Sequence, residues 1–416
     1  MQISPQHIKI SWKNNLLTII FVTFTSLLSL AFTTVKAENA VNPTAPAVPT
    51  PINTNTPFII PNAPQIDAKG WILMDANSGQ ILTGNNIHQH LQPASLTKLM
   101  SVFVASQALR QGQIHMTDMV HISTKAWQME GSRMFLKVNT DVSVEDLIKG
   151  IIVASGNDAC VALAEHVAGS EDSFANLMNQ TATSLGMKDT HYMDSTGMPS
   201  PDHYSTPYDL AILSRNIINN YPEDYQWYKQ KWITYNGIKQ PNRNRLLWSD
   251  SSVDGLKTGH TDSAGFCLIA SAKRNNMRLI SVVMGAPSDS ARADDTRALL
   301  EWGFRFYETH QLFDSNKPLT SMRIWYGKDK SVAMGLTSPL YITIPIGQYK
   351  NLKANMQVAP DLQAPIIKGK NYGQVQVRLQ DKVIATAPLV ALDNVPLGST
   401  TQRLSDRLVI FIHKIL

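Results

Sequence analysis

The sequence predicts an α+β domain with an antiparallel sheet and a helical subdomain, then a small all-β domain and a C-terminal amphipathic helix. Apolar runs of strand length lie at both ends of residues 65–318, whereas the middle of that range has helical periodicity. Residues 319–396 contain short apolar or alternating runs with prolines at the turns, which is typical of strands. Residues 397–416 place apolar side chains on one helical face.

The N-terminus is typical of a cleaved secretory signal. Residues 1–37 contain lysines, then an apolar run at 16–32, and Val35 and Ala37 fit a signal-peptidase site. The alternative is an uncleaved anchor, because the apolar run is nearly long enough to span a bilayer. Residues 38–64 follow as a proline-rich linker.

The composition argues against several classes of protein. The chain has 416 residues and a formal net charge of +5, and it lacks a basic block with interleaved aromatic residues, so no nucleic acid is expected as a partner. Its two cysteines, Cys160 and Cys267, permit at most one disulfide, and two buried free thiols are the alternative. No zinc-ligand spacing is present, and we expect neither a metal nor another cofactor.

The elements of the first domain follow from the pattern along the chain. Residues 70–86 predict a hairpin with a turn at Asp75–Gly79, and residues 253–285 predict three further strands. Ser143 is expected to cap a helix, with Asp146 in the capping-box position. Apolar periodicity predicts the remaining helices at 95–112, after Gly156, at 170–185 and around Trp302.

The tail at residues 397–416 predicts a helix that binds a membrane surface. Leu404, Leu408, Phe411 and Ile412 recur at helical spacing, but the apolar run is far too short to span a bilayer. We therefore expect peripheral membrane association through an interfacial helix. The alternative is a helix packed on its own β domain.

A serine followed three residues later by a lysine gives the first chemical signal. Ser95 and Lys98 lie in an apolar, helix-forming run, and a helix brings residues three apart onto one face. A serine hydroxyl is a poor nucleophile and needs a base within hydrogen-bond reach. Lysine acts as a base only when neutral, so an apolar and cationic setting that lowers its pKa suits this role.

Two further motifs match a serine acyl-transfer site. Ser155-Gly156-Asn157 falls between two predicted helices, and Lys257-Thr258-Gly259 precedes a second strand. The order S-x-x-K, S-x-N and K-T-G is that of active-site serine enzymes that open amides and β-lactams. A second S-x-N match at 214–216 lies inside a helical run, where a structural interpretation is favoured.

Each residue type fits a step of that chemistry. The hydroxyl of Ser155 can pass a proton to the departing amine, and the amide of Asn157 can hold a substrate backbone. Lys257 supplies positive charge for an anionic substrate end and should lower the pKa of Lys98 further. The oxyanion needs backbone N–H donors, for which we expect those of Ser95 and His260; a direct role for the His260 side chain stays open.

The motifs PASLTK, SGNDAC and VDGLKTGHTDSAGF resemble those of low-molecular-mass penicillin-binding proteins that act as D-alanyl-D-alanine carboxypeptidases, peptidase family S11, and most closely the penicillin-binding protein 5 and 6 subgroup. The resemblance implies a serine β-lactamase/transpeptidase-like catalytic domain. It implies removal of the terminal D-alanine from peptidoglycan pentapeptide stems through an acyl-enzyme, with β-lactam antibiotics as covalent inhibitors. It also implies a place on the periplasmic side of the bacterial inner membrane.

The same resemblance assigns further residues. Ser95 would be acylated, Lys98 would accept its proton, and Ser155 would assist. The substrate-binding set would comprise Asn157, Lys257, Thr258, Gly259, His260, Arg243 and Arg292, the two arginines helping to hold the terminal carboxylate.

Two other functions share part of this pattern. A serine β-lactamase has all three motifs, but class A enzymes also need a glutamate on a loop between the second and third, and residues 185–209 offer none. A catalytically idle cell-wall-binding protein is the other alternative, which an intact motif set disfavours.

Overall fold

A computed structural model describes residues 60–415 of the chain, with side chains up to residue 412. The predicted signal at 1–37 lies outside the described residues, as does most of the predicted linker at 38–64. The strands are β1 (Gly70–Asp75), β2 (Ile81–Asn85), β3 (Met119–His121), β4 (Asp141–Ser143), β5 (Trp232–Tyr235), β6 (Ile238–Pro241), β7 (Val253–Thr261), β8 (Gly265–Arg274), β9 (Met277–Ala286), β10 (Tyr307–Phe313), β11 (Thr320–Trp325), β12 (Ser331–Gly335), β13 (Leu340–Pro345), β14 (Leu352–Val358), β15 (Leu362–Gln363), β16 (Asn371–Leu379) and β17 (Lys382–Ala391).

The helices alternate with these strands in the first domain and recur at the end of the chain. A 3₁₀ turn at Ala94–Thr97 precedes α1, and a π-helical turn at Gly150–Ala154 precedes α4. The α-helices are α1 (Lys98–Arg110), α2 (Thr124–Gln128), α3 (Val144–Lys149), α4 (Asn157–Ala168), α5 (Glu171–Ser184), α6 (Pro207–Asn220), α7 (Pro222–Tyr225), α8 (Leu246–Ser249), α9 (Asp289–Phe306) and α10 (Thr400–Ile415).

The first domain is organised around a five-stranded antiparallel sheet in the order β2-β1-β9-β8-β7. Successive side chains of a strand point to opposite faces, and β1 shows this. Ile72 and Met74 belong to the core shared with the helical subdomain, whereas Leu73 packs in the separate core that includes Leu299 and Leu300 of α9. The sheet therefore separates a helical layer from α9, and the predicted α+β class is confirmed.

The helix boundaries show the expected capping chemistry. The Ser143 hydroxyl accepts a hydrogen bond from the Asp146 backbone N–H, as the sequence predicts. Gly169 ends α4 in the left-handed conformation, with φ +78°. The predicted helix from Ser95 differs at its start, because Ser95 lies in the 3₁₀ turn and α1 begins at Lys98.

The second domain is all-β. Its six-stranded sheet has the order β14-β16-β17-β12-β11-β15, and β10 pairs with β13 as a separate ladder. β10 lies before the predicted start of this domain at residue 319. Hydrogen bonds join the two domains: the Asp75 carboxylate accepts from Thr309 Oγ1 (2.7 Å) in a buried position, and Ser78 Oγ lies 2.6 Å from Thr343 Oγ1 in a partly buried one.

The helix α10 is held on the second domain by Asp406. This carboxylate is buried, and it accepts from the backbone N–H of Tyr326 (2.7 Å) and from Lys330 Nζ (3.0 Å). Leu404 and Phe411 on the same helix are 67% and 62% exposed. No helix among residues 60–415 is long and apolar enough to cross a membrane.

Both cysteines are buried free thiols. The sequence left this open, and the structure decides against a bridge between Cys160 and Cys267. Burial raises the pKa of each thiol to about 11.

Candidate active site

Ser95 and Lys98 meet at the start of α1. In a 3₁₀ turn, residues three apart eclipse one another, so the turn at Ala94–Thr97 aligns the two side chains. Lys98 Nζ donates to Ser95 Oγ over 3.0 Å and to the carbonyl oxygen of Thr196 over 2.8 Å. The amine is therefore fixed between the hydroxyl and one backbone carbonyl.

Lys98 is a cation placed in an apolar core. Its side chain is 1% exposed, and burial lowers the pKa of Lys98 to about 8. Arg243 lowers it as well, whereas Cys160 and Asp194 oppose the shift. The apolar setting predicted from the sequence is confirmed as the main cause, and a pKa near 8 leaves an appreciable neutral fraction near neutral pH.

Ser155 and Lys257 form a second hydroxyl–amine pair. Lys257 Nζ donates to Ser155 Oγ over 2.8 Å and to the Thr258 carbonyl over 3.0 Å. Ser155 has φ +59° and ψ +34°, a left-handed conformation that costs a non-glycine residue about 1–2 kcal/mol. The π-helical turn leads directly into this strained residue, which turns its hydroxyl toward β7.

The two lysines influence each other. Burial lowers the pKa of Lys257 well below its usual value, and the charges of Lys98, Arg243 and Arg292 lower it further. Repulsion between the two ammonium groups thus disfavours the state in which both are charged. The cation that lowers the pKa of Lys98 most is Arg243, whereas the sequence pointed to Lys257.

β7 carries the K-T-G residues past the start of α1. A Cβ atom on Gly259 would lie 2.8 Å from the Pro93 carbonyl oxygen and 3.2 Å from the Leu96 nitrogen, so only glycine allows this close approach. Thr258 beside it is buried. The contact places the third motif directly against the turn that holds Ser95.

His260 lines the same cleft as Ser95. Its imidazole stacks on Phe266, with ring centroids 4.0 Å apart. Because the imidazole packs on a residue of β8, we favour a role for the His260 backbone N–H in binding the oxyanion over a role for its side chain.

Asn157 and a loop at residues 130–136 form the opposite wall. Asn157 Nδ2 donates to the Glu130 carbonyl over 2.6 Å. The side-chain oxygen of Asn157 takes no part in this bond. The next residue, Asp158, accepts from three successive backbone N–H groups of the loop, those of Met134, Phe135 and Leu136. The start of α4 thereby fixes the loop.

The two predicted arginines lie in different places. Arg243 is exposed, and its Nη1 donates to Ser132 Oγ over 2.7 Å at the wall of the cleft. Arg292 is 6% exposed and does not line the cleft; its guanidinium donates to the carbonyls of Gly259 (2.9 Å) and Cys267 (3.1 Å) and pairs with Asp289. The structure therefore places Arg243 at the wall of the cleft and Arg292 behind β7.

Ser95 opens onto a cleft of about 450 Å³. Its lining includes Ser95, Asn157 and His260 from the predicted set. It also includes residues that the sequence did not single out, namely Gly131, Ser132, Thr196, Gly197, Met198, Pro199, Thr261, Asp262 and Ser263. Asp158 could have been noticed in the sequence, because it is an acidic residue in the first turn of the helix that follows S-x-N. Nothing in the local pattern identifies Thr196.

Comparison with known proteins matches both domains. A family model described as D-alanyl-D-alanine carboxypeptidase matches residues 58–288, and one described as the C-terminal domain of penicillin-binding protein 5 matches residues 307–397. The D-alanyl-D-alanine carboxypeptidase DacC of Escherichia coli K12 is 44% identical over 360 residues, covering 85% of this chain and 90% of that protein.

Haemophilus influenzae provides a second relative and a solved structure. Its D-alanyl-D-alanine carboxypeptidase DacA is 45% identical over 355 residues, covering 84% of this chain and 90% of that protein. The crystal structure of penicillin binding protein 5 from this organism superposes with a TM-score of 0.77 at 46% identity, covering 80% of this chain and 99% of the other. The matched family region includes all three motifs of the cleft.

Proposed function

Since this chain belongs to the peptidase S11 family of D-alanyl-D-alanine carboxypeptidases, we propose that its cleft performs this reaction with Ser95 as the nucleophile. The observation that carries the proposal is the 3.0 Å contact between Lys98 Nζ and Ser95 Oγ in a buried setting. The substrate is the D-Ala-D-Ala end of a peptidoglycan pentapeptide stem.

Acylation begins when Ser95 Oγ attacks the carbonyl carbon of the penultimate D-alanine. Neutral Lys98 takes the hydroxyl proton, and the backbone N–H groups of Ser95 and His260 stabilise the oxyanion. The C–N bond then breaks, and the leaving amine receives a proton through Ser155. Water hydrolyses the ester and releases the shortened stem.

Positive charge orients the substrate. Lys257 and Arg243 face the terminal carboxylate, while Thr258 and Gly259 present the edge of β7 to the peptide backbone and Asn157 holds it from the other wall. Arg292, buried behind β7, supports this strand through the Gly259 carbonyl. Desolvated cation–carboxylate contacts are stronger than their counterparts in water.

A β-lactam presents a strained amide to the same serine, and we propose covalent inhibition by acylation of Ser95. The β-lactamase alternative needs a glutamate to activate the deacylating water. The only buried glutamate that the described residues place between the second and third motifs, Glu171, accepts from Ser195 and pairs with Lys125. It does not line the cleft, so this alternative is disfavoured.

We also propose that the enzyme is exported and held at the periplasmic face of the inner membrane by α10. Asp406 turns one face of this helix onto the second domain, while Leu404, Leu408 and Phe411 remain exposed. Such a face suits the boundary between headgroups and acyl chains.

Labelling with a fluorescent penicillin tests the catalytic proposal. A carboxypeptidase with this site forms a long-lived adduct that peptide mapping places on Ser95. Rapid turnover of the reagent would indicate a β-lactamase. No reaction at all would indicate a non-catalytic cell-wall-binding protein.

A further inference from the structure

A buried histidine outside the three motifs lies directly behind the Ser95–Lys98 pair. His203 is 1% exposed, and its Nε2 lies 2.9 Å from Oγ1 of Thr97, the residue that precedes Lys98. Its Nδ1 lies 3.3 Å from Asp194 Oδ2. The Met193 backbone N–H also lies 3.3 Å from Nδ1. An imidazole surrounded by a hydroxyl, a carboxylate and a backbone N–H is held in one orientation.

Asp194 connects this histidine to the carbonyl that holds Lys98. Its other oxygen, Oδ1, accepts from the backbone N–H groups of Thr196 and Gly197 and from Thr196 Oγ1, each over 2.7 Å. The carboxylate thus fixes a tight turn, and the carbonyl of Thr196 in this turn accepts from Lys98 Nζ over 2.8 Å. Burial alone would raise the pKa of Asp194, but the His203 pairing and these donors hold it low.

The Thr196–Gly197 turn packs directly against the 3₁₀ turn that contains Ser95. Gly197 has φ +90°, and a Cβ atom there would lie 1.9 Å from the Ala94 carbonyl oxygen and 2.7 Å from Thr97 Oγ1. Two segments more than 90 residues apart in sequence therefore meet without any intervening space. His203 bridges them, because it contacts Thr97 on one side and Asp194 on the other.

We propose that His203 is a positioning residue for Lys98: together with Asp194 and Thr97 it locks the Thr196–Gly197 turn onto the start of α1, so that the Thr196 carbonyl keeps the amine beside Ser95. The inference rests on the proposed roles of Ser95 and Lys98. Without the bridge, the carbonyl and the amine can separate, and a displacement of about 1 Å costs on the order of 100-fold in rate.

The experiment measures the second-order rate constant for acylation by fluorescent penicillin, per folded molecule, together with kcat and KM for D-alanine release from diacetyl-Lys-D-Ala-D-Ala. His203→Ala should lower acylation and kcat by about 10- to 100-fold, with KM changed less than about threefold. His203→Gln restores one donor and one acceptor and should recover most of the rate. His90→Ala is the control, since this neighbouring histidine has a half-exposed side chain and should leave the rates unchanged.

A double-mutant cycle separates positioning from mere packing. If His203 and Thr97 act through one bridge, His203→Ala combined with Thr97→Val should lose no more acylation rate than the worse single variant. Additive losses, or an unchanged acylation rate per folded His203→Ala molecule, would overturn the inference. Should His203→Ala not fold, Thr97→Val and His203→Gln carry the same test. A wild type that fails to label at Ser95 would instead refute the proposed function.

Discussion

Lys257 Nζ donates to Ser155 Oγ over 2.8 Å, although 102 residues separate the two in sequence. This bond joins the strand β7 to the strained residue that precedes α4, and so connects the sheet with the helical subdomain. It gives Ser155 an amine as its partner in a buried setting. The hydroxyl is thereby poised to exchange a proton with a leaving amine, and an incoming carboxylate would favour the charged form of the Lys257 amine.

Removing the amine of Lys257 should therefore impair both binding and acylation. We expect Lys257→Met to lower kcat/KM for D-alanine release by about 100-fold or more, because one charge-assisted contact in a dry site stabilises the transition state by about 3 kcal/mol. The exposed residue Lys239 provides a matched control, and Lys239→Met should retain full activity. Equal activity of the two variants would argue against a substrate role for Lys257.

The pKa of Lys98 predicts the pH dependence of the reaction. Burial lowers this pKa to about 8, and only the neutral amine can accept the Ser95 proton. Below pH 8 the protonated fraction grows, so kcat/KM should fall about tenfold per pH unit on the acid side. A profile of kcat/KM against pH checks this, and a rate that stays flat from pH 5 to 8 would rule out Lys98 as the base.

A substitution at Arg243 tests independently whether the pKa of Lys98 sets the acid limb of the profile. Its charge lowers the pKa of Lys98. Arg243→Gln removes the charge, so the pKa should rise and the acid limb of the profile should move to higher pH. KM should increase as well, because the variant loses a partner for the terminal carboxylate. A limb displaced to lower pH would contradict this account.

Gly259 should tolerate no side chain. Gly259→Ala puts a Cβ atom 2.8 Å from the Pro93 carbonyl oxygen, so either β7 or the turn with Ser95 must shift. We expect a loss of about 1–3 kcal/mol in unfolding free energy and a drop in acylation rate of at least about tenfold. Chemical denaturation and penicillin labelling measure the two effects.

Gly169→Ala separates these effects. Gly169 has φ +78° and open space around it, so alanine there costs stability through backbone strain alone. The variant should lose about 1 kcal/mol and keep its acylation rate per folded molecule. Equal loss of acylation in both glycine variants would show that stability, not the approach of β7, governs the rate.

The membrane proposal makes a prediction about α10. Replacing the exposed residues Leu408 and Phe411 by serine should abolish co-sedimentation with anionic lipid vesicles, because the helix loses most of its apolar contact area. D-alanine release from a short peptide in solution should be unchanged. Vesicle binding that survives in this variant would mean that another part of the chain binds the membrane.

The sequence was sufficient for the elements whose signals are local. The hairpin at 70–86 has an apolar strand, a turn and a second strand in succession. Ser143 has its capping partner three residues on, and the strands within 253–285 are continuous β-rich runs. The same holds for Ser95 and Lys98, because their spacing on a single turn determines that they meet. These features need no information about distant residues.

The remaining features depend on contacts between distant segments. The carbonyl of Thr196 reaches Lys98 across 98 residues, and only the folded chain shows that it does. The family resemblance predicted that Arg292 helps to hold the substrate carboxylate. Its guanidinium instead donates to the carbonyls of Gly259 and Cys267 behind the sheet. Backbone acceptors carry no residue-type signal, which is why pattern analysis could identify the lysines but not what holds them.

The most direct test of the account is release of D-alanine from diacetyl-Lys-D-Ala-D-Ala by the wild type and by Ser95→Ala. The wild type should release one D-alanine per peptide, and the variant should show no release above the uncatalysed rate while keeping the same thermal stability. Release that continues unchanged in Ser95→Ala would contradict the assignment of the nucleophile and, with it, the roles given to Lys98 and Lys257.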